Sequence, residues 1–509
     1  MEEIARRLAD AIERGLLAPG ERLASIRAAA PHHGVSKNTM AEAYERLVAS
    51  GHLEARRGAG YFAAQLARPA RPRLPPHLAE AIDTVSLLRE QLEARHEVRP
   101  GDGRPPPSWM EGSELAAQFA GGKWRPGGSV EHGYGSSWGF LPLRERIALS
   151  LVERGISCSA EQVLMSFGAN HALELVIRHL TEPGDTVLVD DPGYYPLFGK
   201  LRLARVRALG VPRLADGPDP EALEALLAAH RPKAFFTQSL AHNPTGGSLS
   251  PAIAHRVVRA AERHGVTLVE CDPFADILPV TLPRLAALGG LGRVIHIGTF
   301  SKTLSASLRV GFVAAEPATV QALNDLKMLM VVSTSGFAER FVAHLIQGGH
   351  YLRHLRRLRR RIDTGTATAV ANLAGAGWPV DTPPGGGLYL WVPLPEGLEE
   401  AALCQAAQAQ GIFLAPGAIF RPGPAEAGQP ARMRVNVAYA NDPRFLGFLR
   451  QALAARGGAG ARPGRAGPLK NRLEGGHWRQ GRRSGGPEPG RSGRVPSPPR
   501  RLPGGCRTA

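Results

Sequence analysis

The sequence has 509 residues, 43% of them apolar and 21% charged, which is ordinary for a soluble protein with a large core. No stretch approaches the roughly 18 consecutive apolar residues of a membrane helix, so the composition excludes an integral membrane protein of the helical kind. The net charge of +17 is concentrated near the C-terminus, because residues 457–509 contain 12 Lys and Arg against 2 Asp and Glu. The total charge is therefore weak evidence that a folded part of the chain binds nucleic acid.

The N-terminal residues are predicted to form three helices and a hairpin. Apolar residues at helical spacing from Ile4 to Leu16 predict the first helix. Ser25 is placed to cap a short second helix over residues 26–32, and Ser36 is placed to cap a third. Two short strands around a glycine turn follow over residues 53–62.

Several segments of this unit resemble the winged helix-turn-helix of GntR-type transcription regulators, among them Pro19-Gly-Glu-Arg-Leu23, Gly34-Val-Ser-Lys-Asn-Thr39 and Ala43-Tyr-Glu-Arg-Leu47. The resemblance implies that the third helix enters the major groove of double-stranded operator DNA. The residues implied to contact bases or phosphates are Ser25, Arg27, Ser36, Lys37, Asn38, Thr39, Arg56 and Arg57. A small helical dimerisation module with solvated basic residues is the alternative.

Composition divides the chain into four parts. Residues 1–66 form the unit just described, and residues 67–107, which are Pro-rich at both ends, are predicted to be a linker. Residues 108–455 alternate short buried-strand runs with helical patterns, which predicts an α/β domain with a mostly parallel sheet. Residues 456–509 are rich in Gly, Pro, Arg and Ser without hydrophobic periodicity, and they are predicted to be a disordered basic tail.

Chemically distinctive motifs follow one another within the α/β domain. In chain order they are Gly168-Ala-Asn170, Asp191-Pro-Gly-Tyr194, His242-Asn-Pro-Thr-Gly246, Glu270-Cys-Asp272-Pro-Phe274 and Gly298-Thr-Phe-Ser-Lys302. The series resembles the fold-type I pyridoxal 5'-phosphate (PLP) aminotransferases of the aspartate aminotransferase superfamily. The resemblance implies a large domain with a mostly parallel sheet, a small α+β domain, and PLP as the cofactor.

The same resemblance implies a role for individual residues. Lys302, as the catalytic residue, would form a Schiff base with the cofactor aldehyde, and Asp272 would keep the ring nitrogen protonated. Asn243 would donate a hydrogen bond to the phenolic oxygen, and Tyr194 would stack on the ring. Arg434 matches the arginine that binds a substrate α-carboxylate through a bidentate pair. The phosphate would be held by Gly168, Ala169, Asn170, Thr299, Ser301 and Arg309.

Two further features bear on assembly and turnover. Tyr134 resembles the tyrosine that reaches the phosphate of the neighbouring subunit, which implies a homodimer. Aminotransferases of this kind usually carry a tyrosine two or three residues after the aspartate, where this chain has Phe274 and Ala275. The missing hydroxyl predicts a raised pKa of the Schiff base and weak or absent turnover, so whether the domain is an active enzyme stays open.

A DNA-reading unit, a linker and an aminotransferase-like body together resemble the MocR/PdxR class of regulators, which implies a domain that senses PLP, an amino acid or another amine. A metabolic aminotransferase acting on an amino acid is the alternative, and Arg434 supports it. A nonspecific nucleic-acid binder that acts through the tail arginines is a third hypothesis, against which a solvated extension is the simpler interpretation.

Four cysteines without a CxxC pair, and a charged N-terminus, predict a cytoplasmic protein. No metal site is predicted, because His32, His33 and His171 show no metal-ligand spacing.

Overall fold

A computed structural model describes residues 2–13, 17, 20–56, 58–64, 86–111, 115, 133–378, 380, 386–423 and 430–459. The N-terminal unit consists of α1 (Glu2–Glu13), α2 (Ile26–His32), α3 (Lys37–Ala49), β1 (Leu53–Arg56) and β2 (Gly60–Ala63), and the two strands pair antiparallel. The predicted three helices and hairpin are therefore confirmed.

Serine caps and a small apolar core hold this unit together. The Ser25 hydroxyl accepts a hydrogen bond from the backbone N–H of Ala28, and the Ser36 hydroxyl accepts one from Thr39, so both helices begin where the sequence predicts. One face of α3 is buried against α1 and α2 through Met40, Ala43, Tyr44 and Leu47. The opposite face of its N-terminal turn is left toward solvent.

The body begins with α4 (Ser86–Glu93) and alternates helices with strands. In chain order its helices are α5 (Pro107–Met110), α6 (Leu141–Glu153), α7 (Ala169–Leu180), α8 (Tyr195–Leu203), α9 (Pro220–His230), α10 (Pro251–His264), α11 (Leu285–Gly289), α12 (Pro317–Val331), α13 (Gly336–Gln347), α14 (His350–Gly375), α15 (Glu400–Ala409) and α16 (Pro443–Ala459). Its strands are β3 (Val163–Ser166), β4 (Thr186–Asp191), β5 (Arg207–Leu214), β6 (Gly217–Pro218), β7 (Ala234–Gln238), β8 (Thr267–Asp272), β9 (Val294–Thr299), β10 (Gly311–Ala314), β11 (Tyr389–Pro393), β12 (Ala415–Pro416) and β13 (Arg432–Asn436).

Two sheets organise the body. The large one has eight strands in the order β3-β10-β9-β8-β7-β4-β5-β6, and the run from β9 to β5 is parallel while β10 and β6 are antiparallel to their neighbours. The small one is an antiparallel sheet in the order β11-β13-β12. The predicted α/β class with a mostly parallel sheet is confirmed. Because β4, β7, β8 and β9 run in one direction, their carboxyl ends lie along one edge of the sheet.

The predicted linker is corrected by the structure in its second half. Residues 86–93 form α4, and the chain that follows is packed into the body, with Val98, Arg99 and Asp102 buried. The backbone N–H of Phe413 donates to the carbonyl of Val98, and the N–H of Gly101 donates to the carbonyl of Phe413. The Pro and Gly residues of this segment suggested a linker, but its backbone forms hydrogen bonds with the small sheet and the chain beside it. The first half of the linker and the tail beyond residue 459 lie outside the described residues.

Candidate cofactor cavity and DNA-binding helix

A cavity of about 570 Å³ lies at the carboxyl edge of the large sheet. Strand ends of β4, β7, β8 and β9 form one side, and the segment Gly103–Arg104 with helix α4 forms another. Of the residues predicted to bind the cofactor or its substrate, those on the cavity wall are Ala169, Asn170, Tyr194, Asn243, Thr299, Ser301, Lys302, Arg309 and Arg434. Motifs separated by up to 265 positions are thus brought together, as parallel strands with a common edge require.

Lys302 is in the turn that directly follows β9 and extends its side chain to the cavity. Its amine donates a hydrogen bond to the backbone carbonyl of Gly103. Removal from water and the nearby Arg434 guanidinium lower the pKa of the Lys302 amine to about 8. About a tenth of this amine is therefore uncharged at pH 7, and the uncharged form is the one that attacks a carbonyl carbon.

The N-terminus of α7 forms an anion-binding corner with Arg309. Gly168 precedes the helix at φ +78°, and a Cβ there would lie 3.1 Å from Nη2 of Arg309, so a side chain at this position would crowd the guanidinium. Nη2 of Arg309 donates to the carbonyl of Phe167 at 2.8 Å. The hydroxyl of Thr299 donates to that of Ser301 at 3.1 Å. Backbone N–H groups, a guanidinium and two hydroxyls are the donors that a phosphate group requires.

Arg434 closes the opposite side of the cavity. It is 1% exposed, and its guanidinium donates to the side-chain oxygen of Asn243 at 2.9 Å and to the carbonyl of Gly101 at 2.7 Å. Nε of Arg434 is buried with no hydrogen-bond partner among the described residues. The rings of Tyr389 and Phe420 each lie 4.9 Å from its Cζ. The guanidinium is therefore held in place by weak neutral acceptors that a carboxylate could displace.

Asp272, predicted to contact the ring nitrogen, is not on the cavity wall. Its side chain is fully buried, and its Oδ2 accepts a hydrogen bond from Nε of Arg284 at 2.7 Å. The preceding residue, Cys271, lines the cavity instead. Because side chains alternate along a strand, these two neighbours at the end of β8 face opposite sides of the sheet. The structure therefore does not bring Asp272 to the cavity wall with the other residues predicted to bind the cofactor.

Three tyrosines line the cavity, namely Tyr194, Tyr195 and Tyr389. Phe274 is buried and lines the wall, so the position where aminotransferases usually have a tyrosine contributes no hydroxyl to this cavity. The Tyr194 hydroxyl donates to the side-chain oxygen of Asn170 at 3.2 Å. The Tyr389 hydroxyl donates to the carbonyl of Gly103 at 3.0 Å, the same carbonyl that accepts from Lys302. Tyr389 and the segment Gly101–Arg104 are site residues that the sequence motifs did not identify.

Tyr134 is 85% exposed and does not contribute to the cavity of this chain. In the N-terminal unit, Ser36, Lys37 and Asn38 are exposed at the start of α3, Thr39 is half-buried, and Arg27 is exposed on α2. Ser25 and Ser36 use their hydroxyls as helix caps. Arg57 lies outside the described residues.

Comparison with known proteins bears on both halves of this architecture. Residues 114–445 match the family Aminotransferase class I and II, and residues 1–62 match the bacterial regulatory proteins of the gntR family. The chain is 30% identical to the uncharacterized HTH-type transcriptional regulator YdcR of Escherichia coli, over 83% of this chain and 92% of that protein. It is 29% identical to the probable rhizopine catabolism regulatory protein MocR of Rhizobium meliloti, over 81% of this chain and 85% of that protein. This chain belongs to the MocR-type transcriptional regulators.

The body of this MocR-type regulator is similar in structure to LysN, an alpha-aminoadipate aminotransferase from Thermus thermophilus, with 28% identity and a TM-score of 0.65. The match covers 74% of this chain and 98% of LysN. The fold of the body is therefore that of class I and II aminotransferases, which normally bind PLP. Across the described residues, no helix of the regulator has the length and apolar character needed to cross a membrane.

Proposed function

We propose that this MocR-type regulator binds PLP at Lys302 and changes its affinity for operator DNA when an amino acid or another amine enters the same cavity. When bound, PLP supplies an aldehyde that captures primary amines. The observation that carries the proposal is the position of the Lys302 amine, which lines the same cavity as the N-terminus of α7 and Arg309. An operator-binding protein of this kind would act in the cytoplasm.

The residues present match the cofactor at most of its functional groups. The N-terminus of α7 with Arg309, Thr299 and Ser301 would hold the phosphate. Tyr194 would cover one face of the ring, and Arg434 would bind the carboxylate of an amino acid effector. The ring nitrogen is the exception, since no carboxylate side chain is on the wall where β8 ends.

We further propose a homodimer that presents two DNA-reading units to paired half-sites. Tyr134 would reach the partner's cavity, which agrees with its high exposure in the single chain. Apolar side chains that are exposed near the junction of α12 and α13 offer surface for such an interface: Met328, Leu329, Met330, Val331, Val332 and Phe337. Light scattering of the purified chain tests the stoichiometry, and a monomer at micromolar concentration would contradict it.

Borohydride reduction followed by peptide mass spectrometry tests cofactor attachment. We expect a pyridoxyl adduct at Lys302, no adduct in Lys302→Ala, and a normal adduct in Lys200→Ala, a lysine that pairs with Glu174 instead. Gel shifts on the chain's own upstream DNA, with and without PLP and a panel of amino acids, then test regulation. Affinity for DNA that is the same in every combination would refute the sensing role.

The presence of Arg434 in the cavity also favours a second candidate, a PLP-dependent aminotransferase acting on an amino acid. Steady-state assays with pairs of amino and keto acids separate the two functions. Multiple turnovers with any pair would establish the enzyme, whereas PLP attachment without turnover supports the regulator alone.

A further inference from the structure

The last two residues of β8, Cys271 and Asp272, point to opposite faces of the sheet. In the sheet register, Cys271 is opposite Gln238 on β7 and Ile297 on β9, and all three line the cavity. Asp272 is opposite Gly298, where a Cβ would collide with the ring of Phe312 on the other side of the sheet. The thiol therefore faces the cavity, and the carboxylate faces the interior.

Arg284 holds the Asp272 carboxylate in that interior position. Both side chains are 0% exposed, and Nη1 of Arg284 also donates to the carbonyls of Val280 and Leu282, each at 3.3 Å. The backbone of Arg284 is positioned in turn, because the buried Glu270 carboxylate accepts the N–H groups of Leu285 and Ala286 at the start of α11. The charge of Asp272 is thus matched by a preorganised guanidinium before any ligand binds.

Cys271, which does face the cavity, brings no charge to it. Burial, and after it the carboxylate of Glu270, raise the pKa of the Cys271 thiol to about 12, so the thiol is neutral at physiological pH. A neutral thiol is a weak hydrogen-bonding group and cannot balance a positive charge on a neighbouring ring nitrogen. In PLP enzymes of the aminotransferase type, a carboxylate keeps the ring nitrogen protonated, and the protonated ring is the stronger electron sink.

We propose that Cys271, and not Asp272, is the residue of β8 that faces the ring nitrogen of bound PLP, so that the cavity leaves this nitrogen unprotonated. The proposal rests on the proposed attachment of PLP at Lys302, and it deepens the sensing role by giving a reason for weak transamination. Oδ1 of Asp272 is buried without a hydrogen-bond partner among the described residues, and it is the one atom through which Asp272 could still reach the cofactor. The experiment therefore tests both positions.

The readout is the NMR chemical shift of the ring nitrogen in full-length protein loaded with PLP labelled with nitrogen-15 at that atom, because this shift reports protonation directly. We expect an unprotonated nitrogen in the wild type and in Asp272→Asn, and a protonated one in Cys271→Asp. Single-turnover formation of pyridoxamine phosphate from an L-amino acid should rise about 100-fold in Cys271→Asp, since a buried carboxylate now faces the positive charge. Cys158→Asp, the same substitution at a half-buried thiol off the cavity, should change neither readout.

The results that would contradict this assignment are as follows. A protonated ring nitrogen in the wild type, or a resonance that moves in Asp272→Asn, would overturn the assignment to Cys271. If either variant does not fold, the wild type still decides the question through the same resonance. Loss of the pyridoxyl adduct at Lys302 in the wild type would refute PLP binding itself, which is a separate failure from an adduct whose ring nitrogen is protonated.

Discussion

Replacing Arg284 with Met should destabilise the protein strongly, because the structure makes Arg284 the ion-pair partner of a carboxylate that water does not reach. The Nε–Oδ2 distance is 2.7 Å and both side chains are 0% exposed. Removing one member of such a pair leaves an uncompensated buried charge, which typically costs about 3–5 kcal/mol. The carbonyls of Val280 and Leu282 would also lose a donor. We expect Arg284→Met to lower the free energy of unfolding by about 4 kcal/mol.

Urea unfolding of the PLP-free protein, followed by circular dichroism, measures this loss. Arg259→Met is the matched control, because Arg259 pairs with Glu262 at 2.6 Å on the surface, with exposures of 59% and 37%. Such surface pairs contribute about 0–1 kcal/mol, so the control should be nearly silent. The double variant Asp272→Leu with Arg284→Met should recover most of the lost stability, since no buried charge remains. Equal effects of Arg284→Met and Arg259→Met would show that the interior pair does not exist.

Three other expectations concern the cavity and the DNA. The rate at which PLP attaches to the apoprotein should rise about tenfold from pH 6 to pH 7 and level off above about pH 9, because only the uncharged Lys302 amine reacts and its pKa is about 8; stopped-flow absorbance that keeps rising to pH 10.5 would indicate an ordinary lysine. Arg434→Gln should weaken an amino acid effector about 10- to 100-fold in binding titrations while the PLP adduct persists. Lys37→Ala should weaken operator binding and reduce the salt-dependence slope by about one, as loss of a single phosphate contact does.

Sequence motifs predicted those parts of the site whose position follows from strand order. Asn243 and Lys302 lie in the loops that follow the buried strands β7 and β9, and parallel strands bring their ends to one edge whatever the details of packing. The corner between the N-terminus of α7 and Arg309 was predictable for the same reason, because a glycine before an apolar helix marks a helix N-terminus after a strand. Such inferences need only the order of elements, which hydrophobic patterning indicates well.

Two features could not be predicted in this way. The direction of a side chain at a strand end depends on register, so a shift of one residue exchanges Cys271 for Asp272 and reverses a chemical role. The segment Gly101–Arg104 reads as a linker because it lacks periodicity, yet its carbonyls accept hydrogen bonds from Lys302 and Arg434. Backbone groups carry no sequence signature, so their part in the site is visible only once the fold is known.

Under the proposed binding of PLP at Lys302, the residues on the cavity wall suit the capture of an amine better than its conversion. Capturing an amine needs a nucleophilic lysine, a phosphate anchor and a carboxylate receptor, and Lys302, Arg309 and Arg434 are on the wall. Moving a proton on the captured amine would in addition need a carboxylate beside the cofactor's ring nitrogen, and at β8 the wall offers a neutral thiol and a phenyl ring. A regulator gains from this division, because an effector that is captured but not converted can hold the DNA-binding state for as long as it stays bound.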